Sequence, residues 1–206
     1  MPFLFIFALV VGIAVLYWMI LKNSAERIVA QFAILAQNLG LELSLPEPTM
    51  WGFIRPEPSL YGKYKGRELS ISVPGKGLQN TRQIETLLKL ELKEQKFSAQ
   101  LTGQGLLGSM RQRDSKGMDR WKSGDTVFDS AVDARTNDAA KLHRLLTKEA
   151  QQSLMALFKQ GKGSIYIGAG VITYAELGLI ANDSLRQRFE SVVELFLLLA
   201  DSIESA

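Results

Sequence analysis

The chain contains no cysteine and a single histidine, His143. The first absence excludes disulfides, a thiolate nucleophile and any cysteine-bound metal, and it is compatible with either the cytoplasm or the periplasm. A lone histidine lacks the further imidazoles a metal site normally wants. It would serve a catalytic triad only if the fold set it beside a nucleophile and a carboxylate. Because it falls among Leu142, Arg144, Leu145 and Leu146 on a predicted helix, a structural or exposed role is expected for it.

Charge is missing too, but only at one end. No residue from Met1 to Leu21 has a charged side chain, and Lys22 is the first that does. The apolar run Phe3 to Leu21 is long enough to matter: some twenty helical residues span about 30 Å, the hydrocarbon thickness of a bilayer. A cleaved signal peptide would need a basic start and small residues at its cleavage site. Here the start is Met1-Pro2-Phe3, and Asn23 stands where a small residue is wanted before Ala25. The run therefore reads as a transmembrane anchor contacting the bilayer through residues 3–21. Lys22 and Arg27 follow it and nothing basic precedes it, which places the C-terminal domain on the cytoplasmic side of the cell (inner) membrane. Tyr17 and Trp18 fall where aromatic rings lie at headgroup depth.

The rest of the chain is large enough for one domain with a core of its own. Ile28, Phe32, Leu35 and Leu39 form a single helical stripe that Gly40 ends. Asn23 or Ser24 would cap this helix as a new one, or else the transmembrane helix runs on. Leu41, Leu43 and Leu45 alternate as in a short strand. Pro46, Pro48, Pro56 and Pro58 then impose an extended connector around Met50, Trp51, Phe53 and Ile54, expected to fold back over the domain.

From Leu60 the period becomes two. Leu60–Tyr64 and Arg67–Val73 flank Lys65-Gly66 as a tight hairpin. Thr86–Lys93 is predicted to pair with Phe97–Leu101, Gly103–Gly124 to be a long loop, and Val127–Arg135 to be a strand. Thr136 or Asn137 is expected to cap a helix that continues or restarts to Phe158. Ser164–Tyr174 reads as two strands bent at Gly168 and Gly170, and Ser184 with Gln187 as the capping box of a last helix. Strands followed by helices indicate an α+β fold: an N-terminal transmembrane helix, then a single domain with a mostly antiparallel sheet and two or three packed helices. The expected organisation is anchor 1–22, juxtamembrane helix 23–40, proline-rich connector 41–59 and α+β domain 60–206.

The candidate chemistry is incomplete everywhere. Gly103, Gly105 and Gly108 spell G-x-G-x-x-G after a predicted strand, with Asp125 downstream, but Ser109–Gly117 carries no core-facing helical stripe. Gly161-Lys162-Gly163-Ser164 and Gly75-Lys76-Gly77 are read as turns rather than phosphate loops. Asp129 and Asp133 share parity on one predicted strand, yet nothing supplies further metal ligands. No catalytic, cofactor-binding or metal-binding residue is therefore assigned, and no cofactor is expected.

The formal charge of +3 lies wholly outside the span. Lys63, Lys65, Arg67, Lys76 and Arg82 face only Glu68, while Arg111, Arg113, Lys116, Arg120 and Lys122 face Asp114 and Asp119. Contact with anionic lipid through Lys63, Lys65, Arg67, Arg111, Arg113 and Lys116 is one expectation, and solvated loops the plainer one. Nucleic acid is disfavoured, since Trp121 alone interleaves the basic residues. A seam through Phe7, Val11, Ala14, Trp18, Leu21, Ala25 and Ile28 has the spacing of a helix pair, so a homodimer or another membrane protein is a candidate partner. Ala8 and Gly12 offer a competing contact. The expected function is a non-enzymatic binding or scaffolding domain presented at the cytoplasmic membrane surface. Its alternative is a tethered hydrolase-like enzyme acting on a phosphorylated or lipid substrate through Asp129, Asp133 and His143.

Overall fold

The computed structural model describes residues 2–47, 56–74, 84–104, 117–160 and 163–205. Its first element, α1 (Pro2–Leu39), is one uninterrupted helix of 38 residues. No proline or glycine stands between Gly12 and Gly40, so the helix of the apolar segment runs on and no new helix is capped at Asn23 or Ser24. Gly40, at φ +63°, stops it. The amides of Gly40 and Leu41 turn back to the carbonyls of Gln37 (3.4 Å) and Ala36 (2.9 Å), which satisfies the helix end.

Nine antiparallel strands follow among the described residues: β1 (Glu42–Ser44), β2 (Ser59–Tyr64), β3 (Arg67–Ser72), β4 (Glu85–Glu91), β5 (Ala99–Gly103), β6 (Asp119–Trp121), β7 (Val132–Thr136), β8 (Ser164–Gly168) and β9 (Val171–Leu177). Their order in the single sheet is β1-β2-β3-β4-β9-β8-β5-β7-β6. Two hairpins have the two-residue loops that match strand twist. Lys65-Gly66 (φ +48° and +83°) joins β2 to β3, and Ala169-Gly170 (φ +51° and +75°) joins β8 to β9.

Several sequence expectations change here. The segment Phe97–Leu101 does not pair with β4. The β8–β9 hairpin lies between them, so Leu88 and Leu90 oppose Tyr174 and Ile172, while Leu101 lies between Ala134 and Ile165. After β4 the chain crosses the tip of that hairpin, where the Leu92 amide donates to the Gly170 carbonyl at 2.7 Å. A Cβ at Gly170 would come within 3.3 Å of the Leu92 carbonyl oxygen, so a glycine fits the crossing. The interval Gly103–Gly124 is not all loop, since it contains β6. Val127–Arg135 is not one strand. Asp125 accepts the amides of Val127 (2.8 Å) and Phe128 (3.3 Å) and starts a short helix, α2 (Thr126–Ala131), leaving only Val132–Thr136 extended.

The remaining caps also shift by a residue or two. Asp138 caps α3 (Ala139–Leu145), and the helix restarts as α4 (Lys148–Gln160) behind Thr147, whose hydroxyl receives the Ala150 amide. Asn182, rather than Ser184 with Gln187, caps α5 (Asp183–Ser205) by accepting the Leu185 amide at 2.9 Å.

One core joins the layers. Leu60, Leu69, Ile71, Leu88, Leu101 and Ile165 on the sheet meet Phe32 and Leu35 of α1, Leu154 of α4, and Phe189, Val193 and Phe196 of α5. The expected α5 stripe is buried from Phe189 to Ile203. The chain is thus α+β, with the end of the apolar helix built into its core.

Candidate functional site

The two ends of α1 meet different surroundings. Phe32 and Leu35 are completely buried, whereas Phe7 is 68% and Leu16 62% exposed, and the large apolar residues between them are exposed on every side of the helix. A helix apolar all round and, among the described residues, left exposed on all sides fits hydrocarbon as its solvent. It is the one helix among the described residues long and apolar enough to cross a membrane, and it lies near the N-terminus. At its polar end the Lys22 ammonium sits 5.3 Å from the centre of the Trp18 ring and 3.9 Å from Glu26.

A groove of about 690 Å³ opens where α1 leaves this apolar stretch. Leu21, Ser24, Ala25 and Ile28 recur at helical spacing and make one wall. Leu45, Pro46, Pro56 and Pro58 make the other, with Leu179 from the loop before α5. Prolines shape that wall for two reasons: they hold the chain extended, and they present no N–H to be satisfied. Leu45 stays 52% exposed beside them. Three carboxylates, Glu26, Glu47 and Glu57, complete the lining, and no lysine or arginine does so among the described residues. Burial raises the Glu57 pKa above the ordinary glutamate value.

This groove was not visible in the sequence as a site. Its walls appear there as a helical seam and a connector, and only the fold brings them together. The seam itself divides at Ile28. Beyond it, Phe32, Leu35 and Leu39 pack on their own domain. Residues 48–55, with Met50, Trp51, Phe53 and Ile54, lie outside the described residues.

Asp129, Asp133 and His143 all approach β6 or the loop after it, yet through separate contacts. Asp129 Oδ1 accepts the Ser123 amide (2.8 Å) and hydroxyl (2.9 Å), and Oδ2 accepts the Gly124 amide at 3.2 Å. Burial pushes its pKa up, but these hydrogen bonds outweigh burial and hold it below the ordinary aspartate value. Asp129 lies on α2 and Asp133 on β7, so the expectation of a shared strand face is corrected. Asp133 is ion-paired with Arg120 at 2.8 Å and Arg135 at 3.4 Å. His143 is exposed on α3 and packs its ring against Trp121, 6.1 Å between centroids.

Of the glycines in the three motifs, only Gly103 and Gly163 fall among the described residues. Gly103 ends β5 where a Cβ would press within 3.1 Å of Phe158, and Asp125 is a helix cap. Gly163 leaves room for the Tyr174 ring. Gly105, Gly108, Gly161, Lys162 and the Gly75-Lys76-Gly77 segment lie outside the described residues. Among those described, no group of three or more acidic or histidine side chains is placed to hold a metal ion.

Of the basic residues, Lys65 pairs with Glu194 at 3.0 Å, and the same carboxylate accepts the Tyr64 hydroxyl at 2.8 Å. Arg67, largely buried, holds Glu204 at 2.6 Å and Asp201 at 2.9 Å. The acids that engage Lys65 and Arg67 come from α5, far along the chain. Arg111, Arg113 and Lys116 lie outside the described residues. A buried polar cluster that the sequence did not reveal joins Tyr174, Glu176 and Arg188: the tyrosine hydroxyl donates to Glu176 at 2.8 Å, and Arg188 donates to the other carboxylate oxygen. It ties β9 to α5 behind the core.

No family model matches the chain, and no curated protein matches it. Among solved structures, the fold is similar to that of the mycobacterial trehalose monomycolate transport factor A, TtfA. The TM-score is 0.58 at 9% identity, over 85% of this chain and 94% of that one. At that identity the likeness concerns the fold.

Proposed function

We propose that this chain is a single-pass membrane protein whose non-enzymatic α+β domain binds or scaffolds a membrane-borne component at the cytoplasmic surface. The observation that carries this reading is the continuity of α1, one helix that is lipid-like on all sides at one end and core-packed at the other. Such a rod holds the domain at a set height, with the groove starting at the last apolar turn. Asp129, Asp133 and His143, the residues of the hydrolase alternative, are each engaged in a separate structural contact, so nothing in the geometry favours that reading. The structural neighbour is, by its name, a transport factor, which is in keeping with a non-catalytic role.

Orientation follows from Lys22 and Arg27. A phosphatase fused after Ala206 should be inactive and a fluorescent protein that matures only in the cytoplasm should be bright. An active phosphatase would place the domain on the outer face. Release of the chain from membranes by alkaline carbonate would remove the anchor altogether.

A further inference from the structure

Resting on the membrane-anchored reading above, we infer that the groove between α1 and the proline-lined wall takes one acyl chain of a bilayer lipid whose headgroup is not anionic. Continuity comes first. Leu21 belongs to the apolar run, and Ala25 and Ile28 continue its face upward, so the groove wall prolongs a surface already in contact with hydrocarbon. Ile28 lies seven positions beyond Leu21, about 10 Å along the helix. The headgroup layer of one leaflet is roughly 5–7 Å deep. The far end of the groove therefore stands at or beyond the outer edge of the headgroups, where an exposed Leu45 and prolines without N–H donors offer a tail an apolar path out of the bilayer.

Size and charge narrow the occupant. A volume near 690 Å³ falls within the range of about 300–1,000 Å³ that encloses small-molecule ligands. Glu26, Glu47 and Glu57 line the groove with no basic residue among them in the described lining, so a headgroup of net negative charge meets like charge there, whereas a headgroup with an ammonium and no net charge, or an uncharged hydroxyl headgroup, meets hydrogen-bond acceptors. Lys22 leans on Glu26 from outside the lining.

The test uses the full chain in phosphatidylcholine vesicles with a trace phosphatidylethanolamine carrying a photoreactive diazirine near its acyl terminus, and adducts are located by peptide mass spectrometry. Adducts on Leu45–Pro46 or Pro56–Pro58, in addition to the membrane helix, are expected. Adducts confined to residues up to Leu21 would overturn the inference while leaving the anchor intact, whereas loss of adducts on the membrane helix as well would overturn the anchor reading. Chain-to-chain crosslinks at Ala25 in place of lipid would make a second copy the occupant and also overturn it. Ala25→Trp should fill the groove and lower the adducts on the proline wall at least about fivefold without changing those on the membrane helix. A probe with a phosphatidylglycerol headgroup in place of the phosphatidylethanolamine probe should lower wall labelling by about fivefold, and Glu57→Lys should restore it. Equal labelling in the two lipids, with Glu57→Lys inert, would overturn the headgroup assignment independently of whether Ala25→Trp folds.

Discussion

Asn38 of α1 donates its side-chain amide to Oε1 of Glu190 on α5 at 2.7 Å. The same oxygen accepts Nη1 of Arg186, also at 2.7 Å, and Arg186 Nε reaches back to Oε1 of Gln31 on α1 at 3.1 Å. Two turns of α1 are thus fastened to α5, beside the packing of Phe32 and Leu35. The stalk is part of the fold rather than a leash.

Packing rather than the polar clamp should dominate that attachment. Phe32→Ala removes a completely buried ring and is expected to cost about 3–5 kcal/mol. Asn38→Ala removes an exposed hydrogen bond and should cost about 1 kcal/mol or less. Unfolding of the full chain in detergent, followed by circular dichroism, checks both, and equal losses would show that the clamp carries the junction.

Two glutamates should respond to pH with opposite signs. The hydrogen bond from Arg67 holds the Glu204 pKa below the ordinary value, against burial. Its contribution is present above the unfolded pKa of about 4.3 and is lost as pH falls through the lower folded value. Glu204→Gln should therefore lower stability at neutral pH and flatten the acid limb of the unfolding profile. Burial raises Glu57, so its charge costs stability as pH climbs above about 4.3. Glu57→Gln should raise stability at neutral pH and leave it unchanged below about pH 4. A pH series of unfolding midpoints tests the two slopes together.

Ala169 occupies the left-handed region at φ +51° in the β8–β9 turn. Relief of roughly 1–2 kcal/mol of steric cost should outweigh the roughly 0.4–1 kcal/mol that a glycine loses through the unfolded chain. Ala169→Gly is expected to stabilise by about 0.5–1 kcal/mol. A lower melting temperature would contradict the turn geometry.

Asp129 and His143 separate structure from chemistry. Asp129→Asn weakens three hydrogen bonds to the Ser123–Gly124 turn and should cost about 1–3 kcal/mol. His143→Ala, at an exposed position, should stay within about 0.5 kcal/mol. Hydrolysis of a generic phosphoester by the purified chain, abolished by either substitution, would revive the enzyme alternative.

The elements that could be read from the sequence were those whose cause is local. Gly40 after Leu39, Lys65-Gly66 between two alternating runs, and Gly170 in a short hairpin each announce a turn within a few residues. Pairing is not local: nothing near Leu101 says that its neighbours are Ala134 and Ile165. The alternation of Phe128, Ser130, Val132 and Ala134 imitates a strand, and only the capping carboxylate of Asp125 points to the helix that forms. The groove was hidden for the same reason as the pairing, because Ala25 and Pro56 belong to different segments of the chain. Engagement of Lys65 and Arg67 by α5 was hidden because the acids that neutralise them lie more than a hundred positions away.

The most direct test of the membrane-built rod uses the cysteine-free chain as its own blank background. Single cysteines at Val10, Leu16, Arg27 and Gln37 are challenged with a membrane-impermeant maleimide from each side of sealed inner-membrane vesicles. Val10 and Leu16 are expected to be protected from both sides, and Arg27 and Gln37 to react only from the cytoplasmic side. Reaction at Leu16 from water, or protection of Arg27, would contradict the membrane-built rod.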